Sequence, residues 1–213
     1  MRVMVYVEGP SDKAAMGALL APLLGQKRKE GIAIDFFESP PGDKKASVLT
    51  KVPRRAANIL LNDSRAIVVA MPDLYPKNKA FRHETVNELV IGISKNFDDA
   101  VRTKGKKVDA RLKERFKVFC FKHDLEALIL AAKEALKDRL GVNSLNATWR
   151  IPVEDQNHQR PPKQIVEELF AKHGRRYQGT VDAPLILGAS KYQDIGEQCP
   201  QCFKPFVRFL ASL

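Results

Sequence analysis

Cysteine is scarce and odd in number, with only Cys120, Cys199 and Cys202 in 213 residues. Without an export segment ahead of them, three thiols argue for a reduced state and against a disulfide framework. Long apolar runs are also lacking: none approaches the roughly 18 residues that a membrane span needs. The opening Arg2 to Val7 (RVMVYV) reads as a strand and not as a signal segment, so a cytoplasmic chain without membrane contact is expected. There is no internal repeat, low-complexity tract, Gly-rich phosphate loop or nucleophilic Ser or Cys motif. ATP use within this chain is therefore not indicated. Cys199-Pro200-Gln201-Cys202 has zinc-knuckle spacing, but a structural zinc needs two further ligands, which favours burial of the thiols as small apolar groups. His83, His158 and His173 form no partnered pattern, and Trp149 reads as a packing residue.

What is abundant is positive charge. Lysine and arginine outnumber acids 36 to 25, giving a net charge of +11, a balance suited to a polyanionic partner such as nucleic acid. The length is that of one domain, and 44% hydrophobic residues are enough for a sizeable core.

The pattern alternates. After the first strand comes a turn at Glu8-Gly9-Pro10 and then a helix with Ser11 as N-cap. Met16, Leu19, Leu20, Leu23 and Leu24 form the stripe of an amphipathic helix packed on a sheet. Ile32 to Glu38 predicts a second strand, Val52 to Leu61 a helix, and Ala66 to Ala70 a third strand that Pro72 stops. A helix over Phe81 to Val101 and a fourth strand over Phe116 to Phe121 follow. From Leu125 the pattern is helical, at about 125–140, 162–173, 183–196 and 201–212, with a polar loop over Gly141 to Pro162. The expected class is α/β: a parallel sheet flanked by helices with a C-terminal helical extension. A single domain over 1–213 is expected, with an α/β core over 1–123 and a helical elaboration over 124–213.

In such a sheet the carboxyl ends of the strands gather side chains into one crevice. Three of the four predicted strands finish there with acid or histidine: Glu8, then Asp73, then His123 with Glu126. An oxygen-rich set suits Mg²⁺ or Mn²⁺, which can hold a phosphate and activate water. Against this, an Asp at a strand end is often a helix cap, and Glu8 can simply face solvent. Gly9 allows close approach of a phosphate, and Asp12 on the first helical turn can complement the helix dipole or support the metal.

These segments resemble the Toprim fold of topoisomerases, primases and overcoming-lysogenization-defect nucleases. Val7-Glu8-Gly9-Pro10-Ser11-Asp12-Lys13 looks like its first motif and Met71-Pro72-Asp73-Leu74-Tyr75 like its second. More closely, the chain resembles a bacterial Toprim-like nuclease family found with defence ATPases, with an Asp-x-Tyr second motif and a His-Glu-x-Glu-Ala-Leu third motif. The latter reads His123-Asp124-Leu125-Glu126-Ala127-Leu128 here, and a cysteine-proline element is similar to Cys199-Pro200 followed by Phe203. The resemblance implies Glu8 and Asp73 as ligands of Mg²⁺ or Mn²⁺, with Glu126 and Asp12 completing the site and catalysis shared by Glu8, Asp73, Glu126 and His123. Tyr75 stands where the common pattern has a second aspartate, and Asp124 replaces a glutamate. At a spacing of three, His123 and Glu126 fall on one side of a first helical turn, so Glu126 can supply the missing carboxylate and His123 a proton.

Arg102 to Lys117 is dense in lysine and arginine, with only Asp109 and Glu114 against them; Lys104, Lys106 and Lys107 are the candidates for a nucleic-acid backbone, joined by Lys44 and Lys45. The alternative for each cluster is a solvated face. The expected function is a Mg²⁺-dependent nuclease acting on DNA or RNA, the effector subunit of a bacterial defence system. Its partners would be a separate ATPase of the ABC or structural-maintenance type and possible further copies of itself. The competing expectation is a non-catalytic subunit that keeps the fold and binds nucleic acid or a partner.

Overall fold

In the computed structural model, which describes residues 1–156 and 158–213, the elements run β1 (Arg2–Val7), α1 (Pro10–Leu19), α2 (Ala21–Lys29), β2 (Ala33–Glu38), α3 (Lys44–Ala46), α4 (Val52–Asn62), β3 (Ala66–Ala70), α5 (Val86–Thr103), α6 (Ala110–Arg115) and β4 (Phe116–Val118). Helices α7 (Glu126–Ala131), α8 (Lys133–Leu140), α9 (Pro162–Lys172), α10 (Gly179–Gly188), α11 (Tyr192–Gln198) and α12 (Phe203–Ser212) follow. Among the described residues no helix is long and apolar enough to cross a membrane.

Two compact units form. The sheet unit comprises Met1–Gly9 with Leu24–Cys120, and the helical unit Pro10–Leu23 with Phe121–Leu213, so the chain passes between them three times. The helices expected beyond 124 are thus joined in their unit by residues 10–23.

The sheet unit carries the expected parallel sheet, in the order β2-β1-β3-β4. Val3 to Val7 of β1 are all buried, as a strand covered on both faces must be, whereas the edge strand β2 alternates. β4 stops three residues short of the expected Phe121. Its partner β3 ends at Ala70, where the Phe119 amide makes the last bond, and Pro72 has no amide hydrogen to extend the ladder. Phe97 of α5 stacks on Phe116 of β4 with ring centroids 4.4 Å apart, fixing that helix to the sheet. Helix α5 begins at Val86 and not at Phe81 because Thr85 and Glu88 form a capping box: Thr85 Oγ1 accepts from the Glu88 amide at 3.2 Å and Glu88 accepts from the Thr85 amide at 3.1 Å.

In the helical unit, α1 packs chiefly on α10 and not, as expected, on a sheet. Small residues let the two helices close: a Cβ on Gly188 would stand 3.3 Å from that of Ala18, and one on Gly179 would stand 3.6 Å from that of Ser11. α1 starts at Pro10, whose fixed φ and missing amide suit a first helical position, so Ser11 lies inside the first turn instead of capping it. At the unit's centre is α7, buried on every side from Glu126 to Leu130. The helix expected over 125–140 breaks at Ala132, and the one over 183–196 divides into α10 and α11.

The Cys199-Pro200-Gln201-Cys202 turn has a structural task. Glu154, 2% exposed, accepts from the amides of Gln201 at 2.6 Å, Cys202 at 2.8 Å and Phe203 at 3.2 Å, so one carboxylate satisfies the opening of α12. All three cysteines are buried thiols, and burial next to Glu154 pushes the Cys199 thiol far up, keeping it protonated.

Candidate metal centre and basic groove

The parallel register decides where the acids stand. Tyr6 pairs with Ala70 across β1 and β3, so two residues on, Glu8 comes level with Pro72 and beside Asp73. The Asp73 amide donates to Glu8 Oε1 at 3.0 Å, tying the two strand ends together. On the other flank, where Val7 pairs with Glu38, Ser39 Oγ donates to the Glu8 carbonyl at 3.0 Å. Both acids are half-buried, and the sequence motifs at residues 8 and 73 therefore meet in one unit. Such a pair fits a hard divalent cation that keeps several waters and takes one or two carboxylates. Tyr75 does not supply a third ligand: its hydroxyl donates to the Glu84 carbonyl at 2.9 Å and pins the loop that follows Asp73. Among the described residues no group of three or more His, Cys, Asp or Glu is arranged to hold a metal ion.

Lys45 is not on the surface with Lys44. It is buried, and its ammonium donates to the carbonyls of Leu74, at 3.1 Å, and Pro76. Lys44, Lys104, Lys106 and Lys107 are exposed. Of these lysines, Lys104 lines a groove of about 500 Å³ between α4 and α5, together with Arg54, Thr50, Asn58 and Asn96. Its acid, Asp99, is engaged by Arg102 at 3.2 Å. If this rim carries a phosphate backbone, reversing two charges among Lys104, Lys106 and Lys107 should flatten the salt dependence of duplex binding by about 0.9 per lost contact. An unchanged slope in a filter-binding salt series would return the segment to a solvated face.

Asp12, His123 and Glu126 all belong to the helical unit. α7 begins at Glu126, with Leu125 at its N-cap, so the turn expected to align His123 with Glu126 is not helical. The His123 ring instead lies 5.2 Å from that of His158, among Gln156, Lys122 and Asp155. Burial, with His158 beside it, pushes His123 down to about 4, so the ring is neutral at neutral pH and has no imidazolium proton to give a leaving group. An NMR titration should show no protonation of His123 above about pH 5, and a midpoint near the ordinary 6.5 would mean that water reaches the ring. The unfolded chain takes up this proton at about 6.5 and the folded chain only at about 4, so acidification through that window costs stability through this residue.

Glu126 sits in a different circle. Burial pushes its carboxyl up, and Lys163 and the Tyr177 hydroxyl oppose this, while Asp12 adds to the rise. Asp124 is pushed up as well, by burial and then by Glu126, and its Oδ1 is buried without a hydrogen-bond partner. Tyr177 is held protonated by burial and the nearby acids. The sequence reading placed Glu126 and Asp12 together but missed Lys163 and Tyr177, which no local pattern connects to them. The linking signal is tertiary: α9 and α10 pack on α7, and α1 packs on α10.

Similarity to known proteins follows the whole chain. The C-terminal region of the Burkholderia pseudomallei OLD protein is similar at 15% identity over 99% of this chain and 97% of that one, with a TM-score of 0.48. That of the Xanthomonas campestris pv. campestris OLD protein is similar at 13% identity over 98% and 95%, with a TM-score of 0.42. No curated protein matches. The model of one family, described as Domain of unknown function (DUF4276), matches residues 7–211, a span that takes in Glu8, Asp73, Glu126 and the cysteine-proline turn, and the chain belongs to that family.

Proposed function

We propose that the chain is a divalent-metal-dependent phosphodiesterase of the Toprim type that cuts nucleic acid. The observation that carries this reading is the joining of Glu8 and Asp73 at adjacent parallel strand ends by the Asp73 amide. Glu8 and Asp73 would hold Mg²⁺ or Mn²⁺, which supplies Lewis acidity toward a phosphoryl oxygen and a more acidic bound water. The chain's own work is orientation. The amide bond from Asp73 fixes one Glu8 oxygen, Ser39 fixes the backbone of Glu8, and Tyr75 and Lys45 hold the loop beyond Asp73. The exposed lysines and the α4/α5 groove, in a chain of net charge +11, support a polyanionic substrate. The resemblance of the three motifs to nucleases found with defence ATPases supports an effector role beside an ATPase on a separate chain.

The test is cleavage of plasmid, single-stranded DNA and transfer RNA, with and without Mg²⁺ or Mn²⁺. Cleavage that persists in excess chelator would remove the metal from the reading, and cleavage of none of them would favour the second reading, a binding subunit without catalysis. That reading is favoured by the commitment of the Tyr75 hydroxyl to Glu84 where a second aspartate would stand. A role for Glu126 is separable: Glu126→Gln should weaken Mn²⁺ binding about tenfold in calorimetry if it shares the metal, and less than about twofold if it serves the helical unit alone.

A further inference from the structure

Two adjacent lysines on α3 have opposite fates. Lys44 is exposed, whereas Lys45 is only 7% exposed and donates to the carbonyls of Leu74 and Pro76, which flank Tyr75 in the loop leaving Asp73. An ammonium taken out of water needs opposite charge and hydrogen bonds to replace its hydration. Burial lowers the proton affinity of Lys45, and Glu8 and then Asp73 are the foremost groups that hold it up, ahead of Cys120 and Asp43. Lys45 thus lies within the field of both acids in the same unit, tethered to the segment that presents one of them.

We propose that Lys45 is the positioning residue of the Glu8–Asp73 site, a fixed cation that makes it a one-metal site for a phosphodiester; the proposal rests on the metal-dependent reading above. Charge balance carries the argument. Two carboxylates and one ammonium have a single net negative charge. One divalent ion turns this into a single net positive charge, which one phosphodiester monoanion neutralises. A second divalent ion would leave three uncompensated positive charges in a half-buried site before substrate arrives. The position of Tyr75, where an aspartate would otherwise add negative charge, agrees with this count. Lys45 also fixes the backbone on both sides of Tyr75, so the charge and the Asp73 loop move together.

The experiment is Mn²⁺ titration of the full chain, with free Mn²⁺ read by electron paramagnetic resonance and folding checked by circular dichroism. The wild type should bind one ion. Lys45→Met, which keeps the length and removes the charge, should bind Mn²⁺ at least about tenfold tighter or admit a second ion, and Lys45→Arg should stay within about threefold of wild type. A lysine that served only as a tether would weaken Mn²⁺ binding when neutralised. Two ions in the wild type, or unchanged or weaker binding in Lys45→Met, overturns the proposal. If Lys45→Met does not fold, the wild-type count and the Lys45→Arg affinity decide. A wild type that binds no Mn²⁺ overturns the metal reading itself, whereas one bound ion and an indifferent Lys45 leaves that reading standing.

Discussion

Glu8→Gln and Asp73→Asn are each expected to lower metal-dependent cleavage at least about 10²-fold, some 2.7 kcal/mol of transition-state stabilisation at about 1.36 kcal/mol per decade. The fold should be unchanged. Both substitutions keep side-chain size. The side-chain amide introduced by Glu8→Gln retains a carbonyl oxygen to accept from the Asp73 amide, and that donor is backbone, so the 3.0 Å link between the strand ends persists in either variant. Single-turnover cleavage measured beside a thermal melt checks both parts. Activity near wild type in either variant would place the chemistry elsewhere in the chain, and a lowered melt would make the acids structural.

Glu154→Ala is expected to cost about 3 kcal/mol of stability in a denaturant titration, by loss of hydrogen bonds to a buried charge. Its carboxylate is 2% exposed and accepts from three successive amides at the start of α12. A hydrogen bond to a charged group contributes about 1.5–3 kcal/mol, and three sharing one acceptor do not add fully. Glu154→Gln should fall between, since it keeps one acceptor oxygen and gives up the charge that the α12 N-terminus favours. A loss below about 1 kcal/mol in Glu154→Ala would show that water takes over these amides. Phe203 and Phe206, buried just beyond the turn, make that substitution by water costly.

Legibility followed the range of the physical signal. β1 and β3 are legible to the residue because a buried parallel strand is a continuous β-branched run, and Pro72 marks an end that no neighbour can move. The pairing of Glu8 with Asp73 is legible for the same reason, since both sit at those ends. The start of α5 is also written locally, in Thr85 and Glu88, but an apolar pattern beginning at Phe81 masks it. Lys45 is illegible in principle: nothing local separates it from Lys44, and only the Leu74 and Pro76 carbonyls, some thirty residues on, make one of the two buried. The His123–Glu126 alignment fails because helical spacing does not apply to three residues that precede the helix, and the partner of His123, His158, lies far along the chain.

The threefold passage of the chain between its two units bears on how such a molecule can be cut or exchanged. A break after Cys120 would leave α1 on the sheet-bearing fragment without α10, baring Met16, Leu19 and Leu20, and would leave α10 without the helix it closes on through Gly188. The sheet-bearing fragment would keep its own core but carry part of the helical unit's core without its partner, and the other fragment would lack that part. A protease acting on the native chain should therefore nick loops without releasing the helical unit whole, and a recombination breakpoint anywhere between Pro10 and Cys120 would separate partners that need each other. The acids of β1 and β3 and the carboxyls around α7 are consequently transmitted as one cassette, whatever each of them does.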